Sequence, residues 1–356
     1  MRRLIEELPV DPRLARENSE PERGAATILV AILLVALLGF AALAVDVGAM
    51  YAEKAQLQNG ADSGALAIAG DCAGGTCGDT DATADLLANS NSNDAASGVT
   101  SVTFPAATTV RVETFARAAG SDADSFSLFF ARLMGFETTE IHAVAEASWG
   151  PPDSGSTLPW TVSECVFRDF LTASQRAELD STGNFTGDPI ATHLLLRYDE
   201  KTPDYEGCEA QNGYAPGGFG WLEANADCSA DVTADGTVNG QPGNSFPKTG
   251  GAEKVCQDVL KGLLNEPVLI PLFSSAISGG GDKTQYTLIG FAAFQVTGYK
   301  FGGGPELTHD DTSAPSCTGM CRGLQGFFTR FVTLEEGRIA TGGAPNFGAS
   351  KVELTG

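Results

Sequence analysis

Residues 23–46 read R-GAATILVAILLVALLGFAALAV-D: an apolar run from Gly24 to Val45, with Arg23 before it, Asp46 after it and no charge inside. At ~1.5 Å per residue, a helix over this run reaches roughly 33 Å, enough for a ~30 Å hydrocarbon layer. The run divides the chain into a short tail and a large C-terminal remainder. The tail holds Arg2, Arg3, Arg13, Arg16 and Arg23, whereas Lys54 is the only cation between the run and Arg111. Orientation follows this Lys/Arg bias, so the tail is expected in the cytoplasm and the remainder outside, in a single-pass protein of the cytoplasmic membrane.

Two processed forms compete with the intact span. Ala42-Leu43-Ala44 fits a signal-peptide cleavage site, but the apolar run exceeds the ~7–15 residues of such a core. Cleavage after Gly24 in the prepilin manner would place a basic leader before the helix, yet Leu29 stands where those substrates usually carry Glu.

The chain carries a formal charge of −23, and after residue 45 it holds 17 cations against 39 acids. A surface this acidic repels phosphate backbones and anionic lipid headgroups, which argues against a nucleic-acid partner and is ordinary for a domain kept soluble outside the cell. All eight cysteines (Cys72, Cys77, Cys165, Cys208, Cys228, Cys256, Cys317 and Cys321) lie after the span. An even count on the outer side reads as disulfides. A zinc site would ask for matched pairs with nearby histidines, and His142, His193 and His309 are scattered. Gly74-Gly75 lets Cys72 and Cys77 meet; the other six allow 15 connectivities. No metal or cofactor is expected.

Beyond the span, Val47, Met50, Leu57, Ala61, Ala65 and Ile68 keep to one face of a 3.6-residue period, with no proline to Ala69. One helix is therefore expected from about Gly24 to Ala69. Gly60 and Gly64 form a small-residue seam, which allows close helix approach either by the protein's own domain or by another subunit. A partner helix would meet the face bearing Asp46, Tyr51, Leu57, Gly60, Ala61, Gly64 and Ala65. Asp46 would there pair with a partner's cation, or simply reach interfacial water.

The expected organisation is α+β: a tail (1–23), the helix and its extension (24–70), a small α/β unit (71–149), a linker (150–157) and a mostly β, disulfide-braced external domain (158–356). Within the small unit, helices are expected at Asp81–Asn89 and Ser125–Leu133, and strands at Val99–Phe104, Thr108–Phe115 and Thr138–Trp149. GPPDSGS at 150–156 reads as a linker by composition. Further helices are expected near Thr172–Asp180 and Glu253–Leu264.

The anchor region resembles the N-terminal module of the TadE/TadG-like Flp pilus-assembly proteins. The residues that carry this are Arg23-Gly24, then Val45-Asp46-Val47-Gly48, Tyr51-Ala52, and the run LQNGADSGALA from Leu57 to Ala67. The family pattern is an apolar span, VDxGxxY, a spacer and LQNAADAAALA; glycines replace two alanines here. The resemblance covers about residues 23–70 and implies a bitopic envelope protein working with tight-adherence pili. Its implied partners are other pilus-assembly membrane proteins or pilins, with homo-oligomers a further option. Residues 158–356, with PGGFGWL at 216–222, are similar to the C-terminal part of actinobacterial proteins of this group, and that likeness implies no activity. Some relatives add a von Willebrand A domain, but Asp153-Ser154-Gly155-Ser156 fails the Asp-x-Ser-x-Ser pattern of its metal site.

The chemical motifs are sparse. Asp231 to Asn239 begins like a calcium loop, with Gly236 at the sixth position, but the twelfth is Pro242 instead of a carboxylate; an Asp-Gly turn between strands accounts for it. His309-Asp310-Asp311 offers a base beside carboxylates, without any nucleophile motif, and reads as a polar turn. Tyr214, Phe219 and Trp221 stand among glycines, as a core plug or as a loop that stacks on sugars or fills a partner's pocket. The expectation is a non-enzymatic, membrane-anchored component of pilus assembly or adhesion acting by protein contact. The alternatives are a glycan- or matrix-binding surface module and, behind it, an envelope enzyme.

Overall fold

The proline-free, alanine-rich run after Val45 does continue the apolar helix. In the computed structural model, α1 spans Arg23–Ala73, 51 residues or roughly 76 Å of unbroken helix. The structure describes residues 23–118, 120, 123–183, 185, 192–197, 219–241, 252–279, 283–302, 307–333, 339–341 and 344–355. Along α1 the large apolar residues from Ile28 to Val45 are all more than half exposed, whereas Leu57, Ala61, Ala65, Ile68 and Ala69 are buried. One helix thus has an unpacked apolar half and a packed half. It is the one helix among the described residues that is long and apolar enough to cross a membrane.

Gly74-Gly75 ends α1, and the Cys72–Cys77 disulfide closes the turn as expected. Helix α2 (Thr80–Ser90) starts at Asp79, whose carboxylate accepts the Ala82 N–H at 3.1 Å, a conventional N-cap. Strands β1 (Ser97–Ala106), β2 (Thr109–Ala116), β3 (Phe126–Ser127), β4 (Thr138–Thr139) and β5 (His142–Gly150) follow. Residues 125–133, expected to be helical, instead form β3 and a 3-10 turn (Ala131–Met134). Their apolar spacing suits a helix, but pairing of β3 with β4 and a hydrogen-bond acceptor on α1 hold the backbone otherwise.

The remaining elements are β6 (Pro152–Thr157), β7 (Trp160–Ser163), α3 (Glu164–Asp169), α4 (Ala173–Thr182), β8 (Leu194–Arg197), β9 (Phe219–Leu222), β10 (Ala230–Thr233), β11 (Thr237–Gln241) and α5 (Ala252–Gly262). Then come β12 (Pro267–Gly279), β13 (Lys283–Lys300), β14 (Thr308–His309), β15 (Gly323–Thr329), β16 (Phe331–Thr333), β17 (Ile339–Thr341), β18 (Asn346–Phe347) and β19 (Ala349–Leu354). The class is α+β. Helix α4 opens with a capping box, Thr172 and Gln175 satisfying each other's backbone N–H groups. The short α3, not foreseen, is held by a Glu164–Arg168 pair one turn apart at 2.8 Å.

Two expectations about organisation are corrected. The stretch read as a linker is β6, hydrogen-bonded to β10 on one side and β17 on the other; small polar residues leave the backbone free to pair on both edges. The expected boundary near residue 150 also does not hold for the sheets. A five-stranded sheet runs β1-β2-β5-β19-β16, so the last strand of the chain lies antiparallel to β5, with Leu354 opposite Ala147. Val352 of that strand is buried in the same core as Ala61, Ala65 and Ile68. The large sheet is nine-stranded and built on the β12–β13 hairpin. Its core is aromatic: the Phe167 ring meets those of Phe185, Phe328 and Phe347 edge-on, at 4.7–5.6 Å between centroids.

Candidate functional site

The lower half of α1 is the feature the sequence singled out, and each residue of its motif has a physical role. Leu57 fills a small core with Ala116, Ile141 and Ala143, and its carbonyl accepts the Thr114 hydroxyl at 3.0 Å. Gln58 donates to the Val144 carbonyl at 2.9 Å and to Asp62 at 2.8 Å, tying the helix to β5. Ala61 and Ala65 are fully buried against the sheet. Gly60 lies against Ala88 and Gly64 against Ala84 and Val112, so α2 crosses α1 over the glycine seam. The face expected to meet a partner helix is therefore taken up within the chain from Leu57 to Ala65. Tyr51, on the same helix, is 76% exposed.

Asp46 marks the change from unpacked to packed helix and is only 4% exposed. Where the sequence suggests a partner's cation or interfacial water, the carboxylate instead turns into the fold. It accepts the backbone N–H groups of Phe129, Phe130 and Ala131 at 2.7–3.1 Å, capping the 3-10 turn from across the fold. Sequence could not supply this partner, because 83 residues separate the first donor from its acceptor. Just along the helix, Glu53 is 8% exposed; burial, and then the charge of Asp94, push its carboxyl above the ordinary 4.5.

Of the three aromatics expected in a core plug or a binding loop, Trp221 has its side chain described. Trp221 is 3% exposed and packs on Trp160 and Phe301, each at 6.1 Å between ring centroids. It is a core plug, because the strand pairing of Trp160 with Trp221 turns it inward. Phe219 begins β9, and Tyr214 lies outside the described residues. Among the cysteines, Cys228 pairs with Cys256 and Cys317 with Cys321; Cys165 is also disulfide-bonded, and Cys208 lies outside the described residues.

The polar residues at 309–311 divide. His309 packs near the Tyr299 ring, whereas the Asp311 carboxylate takes hydrogen bonds from His193 and from the Thr297 hydroxyl. Burial alone would raise the Asp311 carboxyl, but those two bonds and the Ser313 N–H hold it below the usual carboxylate value. Gln325 braces the turn, accepting the Asp311 N–H at 2.9 Å and donating to the Pro315 carbonyl at 3.0 Å. This network fixes a loop on β13 and β15. A cleft of about 180 Å³ lies nearby, lined mainly by Phe170, Phe185, Leu194, Phe327 and Phe328. Asp235-Gly236 lies in the expected turn between β10 and β11, closed by the Gly236 N–H on the Thr233 carbonyl at 2.9 Å; the two strands belong to different sheets. A separate group, Asp124, Glu140 and His142, brings one donor atom from each within 4.8 Å of the others and could hold a divalent cation; sequence spacing does not reveal it.

The architecture is thus an α+β domain built on the lower half of a helix whose upper half is apolar and unpacked. Residues 24–71, which lie wholly within α1, match the family model of TadE/G-like Flp pilus-assembly proteins. The match ends where the Cys72–Cys77 turn begins, so α2 and the sheets lie beyond it. No curated protein and no solved structure matches the chain.

Proposed function

We propose that this protein is a single-pass component of Flp, or tight-adherence, pilus assembly, anchored in the cytoplasmic membrane with its tail inside and its α+β domain outside. The observation that carries the reading is the coincidence of two facts on one helix. Residues 24–71 match the pilus-assembly family model, and the apolar part of that same helix is left unpacked at a length that fits a bilayer. The arginine-rich tail supports the orientation. The role is one of protein contact without catalysis: the helix fixes the domain at the membrane, and the domain presents surfaces to pilins or other assembly proteins. Burial of Trp221 favours this reading over an aromatic sugar-binding loop.

The test is deletion of the gene followed by complementation and electron microscopy of surface filaments. The full chain should restore filaments, and residues 46–356 exported without the span should not. Unchanged filaments in the deletion strain would refute the assembly role.

A further inference from the structure

A second apolar element stands beside the end of the span. Strands β3 and β4 form a two-stranded hairpin, and the Leu128 N–H donates to the Glu137 carbonyl at 3.0 Å to close its stem. The stem packs low on α1: Phe126 and Ile141 join Leu57 and Met50 in one cluster. The tip reaches Asp46, 11 residues back along the helix from Leu57 and ~17 Å nearer the span at ~1.5 Å per residue. The hairpin therefore runs along α1 toward the apolar half, and its tip ends at the residue that follows Val45.

That tip is apolar and outward-facing. Phe129 is 69% exposed, Leu133 84%, Met134 68% and Phe136 65%. Exposed Arg132 stands among them, and Gly135, at φ +90°, turns the chain back with its N–H on the Ala131 and Arg132 carbonyls. Four large apolar side chains on one short loop are costly in water. A protein-free surface rarely keeps such a group unless something covers it.

We infer that this hairpin tip is a second membrane contact: Phe129, Leu133, Met134 and Phe136 enter the boundary between headgroups and acyl chains, with Arg132 at the phosphates. The inference rests on the reading of α1 as a membrane span. Continuity with the span selects lipid as the occupant, because Asp46 holds the tip within hydrogen-bond reach of the span's last turn. Insertion of ~5–10 Å is typical of such apolar elements. Two contacts, a span and a wedge at its side, would fix the tilt and rotation of the domain on the membrane, which a single helix cannot do.

The test uses the full chain carrying Leu133→Trp, in vesicles of phosphatidylcholine and phosphatidylglycerol with brominated acyl chains, and the unsubstituted chain as background for the native tryptophans. The added emission should be blue-shifted and lose most of its intensity to the bromines. Adding Asp46→Ala, which releases the tip, should reduce that quenching while the chain stays in the membrane. Emission at a water-exposed wavelength without quenching, from a chain that resists carbonate extraction, would overturn the wedge while leaving the span intact. A blue shift without quenching would mean that protein covers the tip, and would overturn it too. Release of the chain by carbonate would remove the span and the wedge together.

Discussion

Gly60 and Gly64 sit one turn apart on the same face of α1, yet they meet α2 differently. A methyl group added at Gly64 would stand 3.6 Å from the Ala84 Cα, an ordinary contact; one added at Gly60 would stand 3.0 Å from the Ala88 Cα, which is backbone and cannot swing away. Gly64→Ala should therefore raise stability by up to about 1 kcal/mol through helix propensity, and Gly60→Leu should lower it by about 1–3 kcal/mol through overpacking. Thermal unfolding of the two variants checks the contrast. Glu53 gives the pH counterpart. Its carboxyl is raised in the folded state by burial and by Asp94, so the folded chain binds that proton more tightly than the unfolded chain. The stability it contributes is complete below the unfolded value and is lost as pH rises through the folded one. Glu53→Gln should accordingly stabilise the protein at about pH 7 and change little at about pH 3.5, read as the pH dependence of the unfolding midpoint. The glycine seam was legible as a close-packing motif in the sequence, because small residues one turn apart have few other uses. Which helix fills it was not, since that depends on where α2 folds back. The same holds for Asp46, whose acceptor role needs amides far along the chain.

Among the elements, α1, α2, β1, β2, β5, α4 and α5 follow from periodicity and capping residues, within a few residues of the expected bounds. The failures share a cause. Residues 125–133 have helical spacing and residues 150–156 have linker composition, but both are set by pairing with segments distant in sequence, β4 in one case and β10 and β17 in the other. For Trp221 the glycines around it leave a core plug and a binding loop both open in the sequence; the strand whose pairing accompanies its burial is 61 residues away. The cross-links make a prediction at this scale. Cys72–Cys77 closes a loop of sequence separation 5, and Cys228–Cys256 one of 28. On loop-closure entropy alone, removing the first bridge should cost about 2 kcal/mol and the second about 3.5 kcal/mol. Paired Cys→Ala variants compared by denaturant unfolding test the order; an equal or reversed cost would show that these loops are already restricted when unfolded.

At the scale of the whole molecule, one helix joins two environments. Its upper half is unpacked and apolar; its lower half is the spine on which α2 and the β1-β2-β5-β19-β16 sheet assemble. The strand Ala349–Leu354 returns to that sheet, so it and the lower half of α1 share one core. The proposed function depends on this continuity: a domain that shares its spine with the span would be held at a fixed height above the membrane, where assembly partners could meet it. Hydrogen exchange of the full chain in lipid nanodiscs tests this most directly. The account predicts slow exchange running without a break from the span through Asp46, Gly48 and Tyr51 to Ala69. A fast-exchanging gap between residues 46 and 56 would contradict it, because anchor and domain would then be two bodies on a hinge.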